Sequence, residues 1–197
     1  MTEKHARNEL VTYAARLYAR GLVAGSSGNL SVRLPDGSLL VTPSGASLES
    51  LAPDDMVACT NAGVPHDRTQ RPTSELPLHI AAYRVRPDAM CLIHTHPTYC
   101  VAWSKTQRLF ALDTVGAIES LGPIALTAYA QSGSQELAEI CSEAFRSGFD
   151  TILMERHGLS IMAVDLETAY LRTDLAEQTA HIEFAAYLLA APNRAQS

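Results

Sequence analysis

Between residues 72 and 96 the chain reads PTSELPLHIAAYRVRPDAMCLIHTH, a proline-bounded helix that runs almost directly into an apolar strand. Ser74 is placed to cap the helix. Pro77 falls in the first turn, where a missing N–H costs little, and Pro87 closes the segment. AMCLIHTH follows as a strand of nearly continuous apolar residues. A helix handed straight to such a strand buries both only in a layered α/β arrangement.

The flanking segments repeat this alternation. Leu10, Ala14, Leu17 and Tyr18 share helical spacing over residues 3–20, and Gly21 is a stop signal. NLSVRL and SLLVT are hairpin strands around the PDG turn at 35–37, and MVACT (56–60) is a further short strand. PTYCVAWS predicts a helical turn or two. Residues 109–128 mix strand-like pieces such as IALTA with a glycine-bearing loop, and residues 134–148 form an amphipathic helix ending at Gly148. TILMERHG and LSIMAV are two more strands. Asp165 caps a final helix that runs to about Ala190. With no repeats and no linker-like stretch, residues 1–197 are expected to form one α/β domain, its central, mostly antiparallel sheet flanked by helices.

Charged residues make up 18% of the chain and hydrophobic residues 47%, a globular composition. The net charge of −6, with no Lys/Arg-rich run, argues against a nucleic-acid partner. No apolar run is long enough to span a bilayer, so no membrane association is expected. The charged opening, MTEKHARNEL, has no signal-peptide h-region. Cys59, Cys91, Cys100 and Cys141 lack C-x-x-C spacing and are expected as reduced, buried thiols in a cytoplasmic protein. Cys91 or Cys100 as a metal ligand is the alternative.

His94 and His96 carry the chemistry. Residues two apart on a strand point the same way, about 6.5–7 Å apart at Cα, so both imidazoles can converge on one ion. The competing explanation is two ordinary hydrogen-bonded histidines at a strand end. A catalytic zinc site wants three protein ligands and one open position. His157, in MERHG, stands at the end of another predicted strand beside a permissive glycine, and His79, four residues after Glu75, is the rival third ligand. His5, His66 and His181 fall on predicted surfaces. The Asp that follows H-x-H in metallo-β-lactamase-like sites and the Glu of cupins are both missing here. Glu75 lies in the first turn of its helix, where a carboxylate complements the helix dipole. The same turn offers hydroxyls and free N–H groups to an anion, and a carboxylate beside both is placed for general-base work. Gly28-Asn29 and Ser44-Gly45 are two further small polar loops. No P-loop or dinucleotide fingerprint is present.

In order along the chain, RGL, GSSGNLSVRLPDG, TPSG, PTSE, RPD, HTH, the AY-x-x-x-G segment with Tyr129, and RHG resemble the class II aldolase/adducin family, most of all its L-fuculose-1-phosphate aldolase branch. The resemblance implies a three-layer fold and a zinc-dependent lyase that cleaves or forms a carbon–carbon bond of a phosphorylated ketose through a metal-stabilised enediolate. It implies that His94, His96 and His157 bind Zn²⁺, with another divalent cation as the alternative, and that Glu75 moves protons. Gly28, Asn29, Ser44, Gly45, Thr73 and Ser74 match the family's phosphate-binding loops. It further implies a homotetramer with active sites between subunits.

One stretch departs from the pattern. The aldolase branch has a tyrosine, lent by a neighbouring subunit, where LFALDTVGAIES stands here, and Tyr99, Tyr129 and Asp113 are the candidates to replace it. The N-terminal run is also similar to 3-oxo-tetronate 4-phosphate decarboxylases, and methylthioribulose-1-phosphate dehydratases share the histidine triad. Sugar-phosphate 4-epimerases usually carry Asp in place of Glu75, which ranks them lower. A non-catalytic, adducin-like interaction module is a further alternative, though it would be expected to lose the histidines.

Overall fold

A computed structural model describes residues 2–190, so residue 1 and residues 191–197 of the expected domain lie outside the description. Helix α1 (Glu3–Ala19) starts at Thr2, whose Oγ1 accepts from the His5 N–H. Its stripe of Ala6, Leu10, Tyr13, Ala14 and Leu17 is buried. At its end Gly21, at φ +73°, donates to the Tyr18 carbonyl while Leu22 N–H reaches back to Leu17. This paired closure needs a left-handed residue, which glycine supplies without a Cβ clash.

Strands β1 (Asn29–Arg33) and β2 (Leu39–Val41) form the hairpin around Pro35-Asp36-Gly37, and β3 (Val57–Cys59) pairs with β2. Helix α2 (Leu76–Val85) begins one residue later than its expected cap. Glu75, not Ser74, is the N-cap residue, and Thr73 Oγ1 accepts the Glu75 N–H at 3.2 Å. Ser74 is left exposed, so the cap expected there is corrected. Arg86 and Asp88 of the RPD motif pair with each other and Arg86 with Asp150, tying the end of α2 to the start of the next layer.

Strand β4 (Cys91–Thr95) leads into α3 (Thr98–Ser104) and then a π-helical turn, Ala117–Leu121. Next come β5 (Ile124–Thr127), α4 (Gln135–Arg146), β6 (Thr151–Met154), β7 (Gly158–Ala163) and α5 (Leu166–Ala190). Ser134 caps α4 and Asp165 accepts from Thr168 N–H at the start of α5. The expected strand TILMERHG stops at Met154. Glu155, Arg156 and His157 form the tight connection to β7, with Arg156 at φ +55°.

Among the described residues the seven strands form one sheet in the order β3-β2-β1-β4-β7-β6-β5. Every pair is antiparallel except β5–β6, which are joined through α4, as a parallel pair requires a crossover. Side chains alternate between the two faces of this sheet. Leu30, Val32, Leu40, Ile93, Leu153 and Ile161 pack with α1, α3 and α5, whereas Leu39, Val41, Leu92, Ile152 and Met162 pack with α2 and α4. The result is three layers with the sheet in the middle. No helix among the described residues is long and apolar enough to cross a membrane.

Phe145 of α4 is fully buried in the second layer. Phe145→Ala should cost about 3–5 kcal/mol, transfer and cavity terms together. That corresponds to a melting temperature lower by about 6–20 °C, read by thermal unfolding of the two proteins at equal concentration.

Candidate metal centre

The register of the sheet sets up the site. Asn29 of β1, His94 of β4 and Ser160 of β7 stand side by side in one row across three strands. Because Leu92 faces α2 and α4, His94 does so too, and His96, one pleat further, follows it just beyond the strand. The tight turn after β6 swings His157 to the same point. Helix α2 arrives with its N-cap carboxylate, Glu75. One ligand atom from each of these four residues lies within 4.8 Å of every other. Separations of this size are those that one small cation bridges.

The hydrogen bonds around the cluster show what belongs in it. His94 Nδ1 lies 3.1 Å from the Leu159 carbonyl and 3.1 Å from Ser160 Oγ. A carbonyl only accepts, so Nδ1 carries a proton and Nε2 is the metal-facing nitrogen. That Nε2 sits 2.9 Å from His96 Nε2 and 3.0 Å from Glu75 Oε2, while His157 Nε2 is 3.2 Å from Glu75 Oε1. Lone pairs crowded this closely need positive charge among them: protons on imidazoles, or a divalent cation in their place. The donor set of three imidazoles and one carboxylate fits Zn²⁺ or a similar divalent ion.

Glu75 is only 4% exposed. Burial by itself pushes its pKa up, but the adjacent His94 and His157 outweigh that and hold it far below the usual carboxylate range. Two further donors fix it: Asn29 Nδ2 bonds Oε2 at 2.9 Å and Ser132 Oγ bonds Oε1 at 2.9 Å. Burial, with help from the neighbouring His94 and His157, pushes His96 down to about 3. His79 is fully buried and is also pushed down to about 3.

The other expected residues separate clearly. His79, the rival ligand, is outside the cluster: its two ring nitrogens meet Asn29 Oδ1 and Ser31 Oγ, both at 2.6 Å. Cys91 and Cys100 belong to the opposite face of the sheet and are buried free thiols, so neither is a ligand. His5, His66 and His181 are exposed. Among the phosphate-loop candidates, the 42–45 and 71–74 segments pair through Pro43 and Pro72 and the backbone bonds Ser44–Arg71 and Thr73–Thr42. Ser44, Gly45 and Ser74 face solvent there, while Thr73 is buried. Gly28 packs tightly on β4, where a Cβ would lie 3.0 Å from the His94 carbonyl and 2.5 Å from Val23 Cγ1. The Asn29 side chain is committed at both ends, to Glu75 and His79.

Of the three candidates for the missing tyrosine, Tyr99 stacks on His181, away from the cluster, and Asp113 is exposed on an irregular segment. Tyr129 lies under the Arg156 guanidinium at 4.2 Å, on the loop that also brings Ser132 to Glu75. Sequence reasoning missed Ser132. Its only signal was its place inside the AY-x-x-x-G segment.

The family model described as "Class II Aldolase and Adducin N-terminal domain" matches residues 8–184. The chain belongs to the class II aldolase/adducin family. It is 34% identical over 178 residues to an L-fuculose phosphate aldolase of Methanococcus maripaludis, covering 89% of this chain and 94% of that one. It is 30% identical over 189 residues to a 3-oxo-tetronate 4-phosphate decarboxylase of Escherichia coli, covering 92% and 87%. Among solved structures, YgbL of Klebsiella pneumoniae, a candidate aldolase/epimerase/decarboxylase, superposes with a TM-score of 0.88 at 30% identity over 98% of this chain and 93% of its own. L-fuculose-1-phosphate aldolase of Thermus thermophilus gives 0.81 at 28% identity, over 93% and 95%. Fold and cluster together support a metal-dependent lyase in general terms.

Gly158 is the tightest point of the site. A Cβ there would lie 2.3 Å from the Thr95 carbonyl and 2.6 Å from His96 Cδ2. Gly158→Ala should therefore push β4 and β7 apart and lower metal stoichiometry, read by elemental analysis of the purified variant. A variant that folds and keeps full metal would contradict this packing.

The neutral histidines also set a pH dependence. The unfolded chain protonates both His79 and His96 near 6.5, whereas the fold keeps both neutral down to about 3. The unfolded state binds more protons across that window, so stability falls as pH drops through it. The depressed pKa of Glu75 acts in the same direction. The metal-free protein should lose melting temperature steadily from pH 7 to pH 4; a flat profile would argue against buried neutral rings.

Proposed function

We propose that the chain is a zinc-dependent lyase that cleaves or forms a carbon–carbon bond of a phosphorylated ketose. The observation that carries this reading is Glu75, a buried carboxylate seated among His94, His96 and His157 at the mouth of helix α2. His94, His96 and His157 hold the cation. When bound, a divalent cation supplies Lewis-acid stabilisation for negative charge developing on substrate oxygens.

Glu75 performs the proton transfer, removing a proton from the carbon that becomes nucleophilic in the bond-forming direction and returning it after cleavage. Asn29 and Ser132 keep both carboxylate oxygens oriented for that step. The substrate phosphate is received by the loops of Gly28, Asn29, Ser44, Gly45, Thr73 and Ser74, among which Ser44, Gly45 and Ser74 are exposed. Tyr129 is the best-placed substitute for the tyrosine of the aldolase branch.

The subunits are proposed to assemble as a homotetramer with shared sites. Exposed apolar side chains, Val115 and Ile118 near the π-helical turn and Tyr187 and Leu189 on α5, support such burial. A cytoplasmic setting is supported by four free, buried thiols. We take residues 1–197 as one domain of this kind.

A second reading has its own support: 3-oxo-tetronate 4-phosphate decarboxylases are relatives at 30% identity, and residues 113–115 lack the aldolase tyrosine. Decarboxylation would use the same cation and the same protonating carboxylate.

The zinc-loaded protein should exchange the C3 hydrogens of dihydroxyacetone phosphate with D₂O in the absence of aldehyde, followed by NMR. Glu75→Gln should keep its metal and lose about 10²–10⁴-fold in exchange rate. Absence of exchange from fully metallated wild-type protein would sink the aldolase reading and favour a screen of 3-oxo acid phosphates.

A further inference from the structure

Glu75 is one end of a longer buried network that the metal cluster does not use. Glu75, His79 and Tyr83 stand four residues apart along one stripe of α2, and Asn29 and Ser31 stand two apart on the facing side of β1. The helical and strand periods bring these five side chains into one row. Asn29 Nδ2 meets Glu75 Oε2 at 2.9 Å, and Asn29 Oδ1 meets His79 Nε2 at 2.6 Å. His79 Nδ1 meets Ser31 Oγ at 2.6 Å, and Ser31 Oγ meets the Tyr83 hydroxyl at 2.9 Å. That hydroxyl also donates to the Ser31 carbonyl at 3.1 Å.

We propose that Tyr83, Ser31, His79 and Asn29 form a one-way chain of hydrogen bonds that orients Glu75, with His79 as a positioning residue for the base. The inference rests on the reading of Glu75 as the proton-transferring group.

The direction follows from which atoms can donate. A carboxylate only accepts, so the amide nitrogen of Asn29 faces Glu75 and its oxygen faces His79. That oxygen also only accepts, so His79 carries its proton on Nε2. The Nδ1 of a neutral ring is then a lone pair, which takes the hydroxyl proton of Ser31. Ser31 Oγ, its own proton committed to His79, then shares the single phenolic proton of Tyr83 with the Ser31 carbonyl. Each donor is fixed by the one before it, and every arrow points toward Glu75.

His79 and Ser31 have no exposed surface, and Asn29 and Tyr83 are buried, so solvent does not compete for these bonds. A polar row at this depth costs free energy unless every member is satisfied, and apolar residues would fill the stripe more cheaply. Its value lies in where it ends. With the His79 Nε2–H in place, Asn29 cannot rotate, and Glu75 Oε2 is held in one orientation. Removing that donor frees the Asn29 amide and loosens the carboxylate without touching a metal-binding histidine.

The test uses the full-length, zinc-loaded protein and two matched polar variants. The side chain of Gln can place an N–H where His79 Nε2 stands, whereas that of Asn is too short to reach Asn29. His79→Asn should lower the rate of dihydroxyacetone phosphate exchange in D₂O by about 10–100-fold at full zinc content, mainly in kcat, with KM within about twofold. His79→Gln should recover most of that loss. Equal rates in the two variants, with equal metal, would overturn the proposal.

A second measurement is independent of activity and of metal. Imidazole ¹⁵N spectra of the metal-free wild-type protein should show His79 neutral with its proton on Nε2. A proton on Nδ1 would break the direction of the chain and overturn the proposal. Wild-type protein that shows the Nε2–H tautomer but no exchange would sink the aldolase reading while leaving the hydrogen-bond chain standing.

Discussion

A carboxylate taken out of water must be met by charge or by hydrogen bonds, and Glu75 is buried deeply enough that it needs both. His94 approaches it from β4, His157 from the turn before β7, Asn29 from β1, and Ser132 from the loop after β5. These partners are scattered over more than a hundred residues of sequence. They meet only if α2 enters the sheet at one height and β1, β4 and β7 keep one register. Much of the surrounding structure can be read as serving that convergence: Gly158 lets β7 close on His94 and His96, Gly133 lets the Ser132 loop close on Ser74, and Gly28 lets its loop close on β4.

The sheet divides labour between its faces. Toward α1, α3 and α5 it is a continuous apolar layer. Toward α2 and α4 the apolar packing is interrupted by a polar seam that begins at Tyr83 and ends at the metal cluster. Strand alternation makes this possible, because His94 and Asn29 face the seam while Ile93 and Leu30 anchor the same strands in the other core. A histidine pair at the end of a central strand, His94 within it and His96 just beyond, is held more tightly than one on a long loop would be, and that rigidity suits a centre where ligand geometry decides reactivity.

Two chemistries represented among the relatives, aldol cleavage and decarboxylation, need the same ingredients at this centre: a cation to stabilise charge on oxygen and a carboxylate to place a proton on carbon. Beside the cluster in this chain, the Arg156 guanidinium, next to His157 in sequence, lies 4.2 Å from the centre of the Tyr129 ring. The strained backbone of Arg156, at φ +55°, is a consequence of turning the chain within three residues so that His157 can reach the cluster.

The order of helices and strands was legible in the sequence because the punctuation is local: Gly21, Pro77, Pro87, Ser134 and Gly148 act through their own backbone dihedrals and hydrogen bonds. The H-x-H pair was legible for the same reason, since a strand's pleat acts over two residues, and the aldolase-family likeness followed from motifs kept in order. Ser74 as helix cap was the local error; the turn is set one residue later, where Thr73 holds the Glu75 N–H. The sequence by itself therefore determined the elements, the layered α/β class and the imidazoles available to a metal. Only the tertiary structure showed His157 meeting the cluster with His79 outside it, Ser132 holding Glu75, and Asn29 bonded to the carboxylate. Those choices depend on strand register and on approaches between segments distant in sequence, which no local pattern of residues encodes.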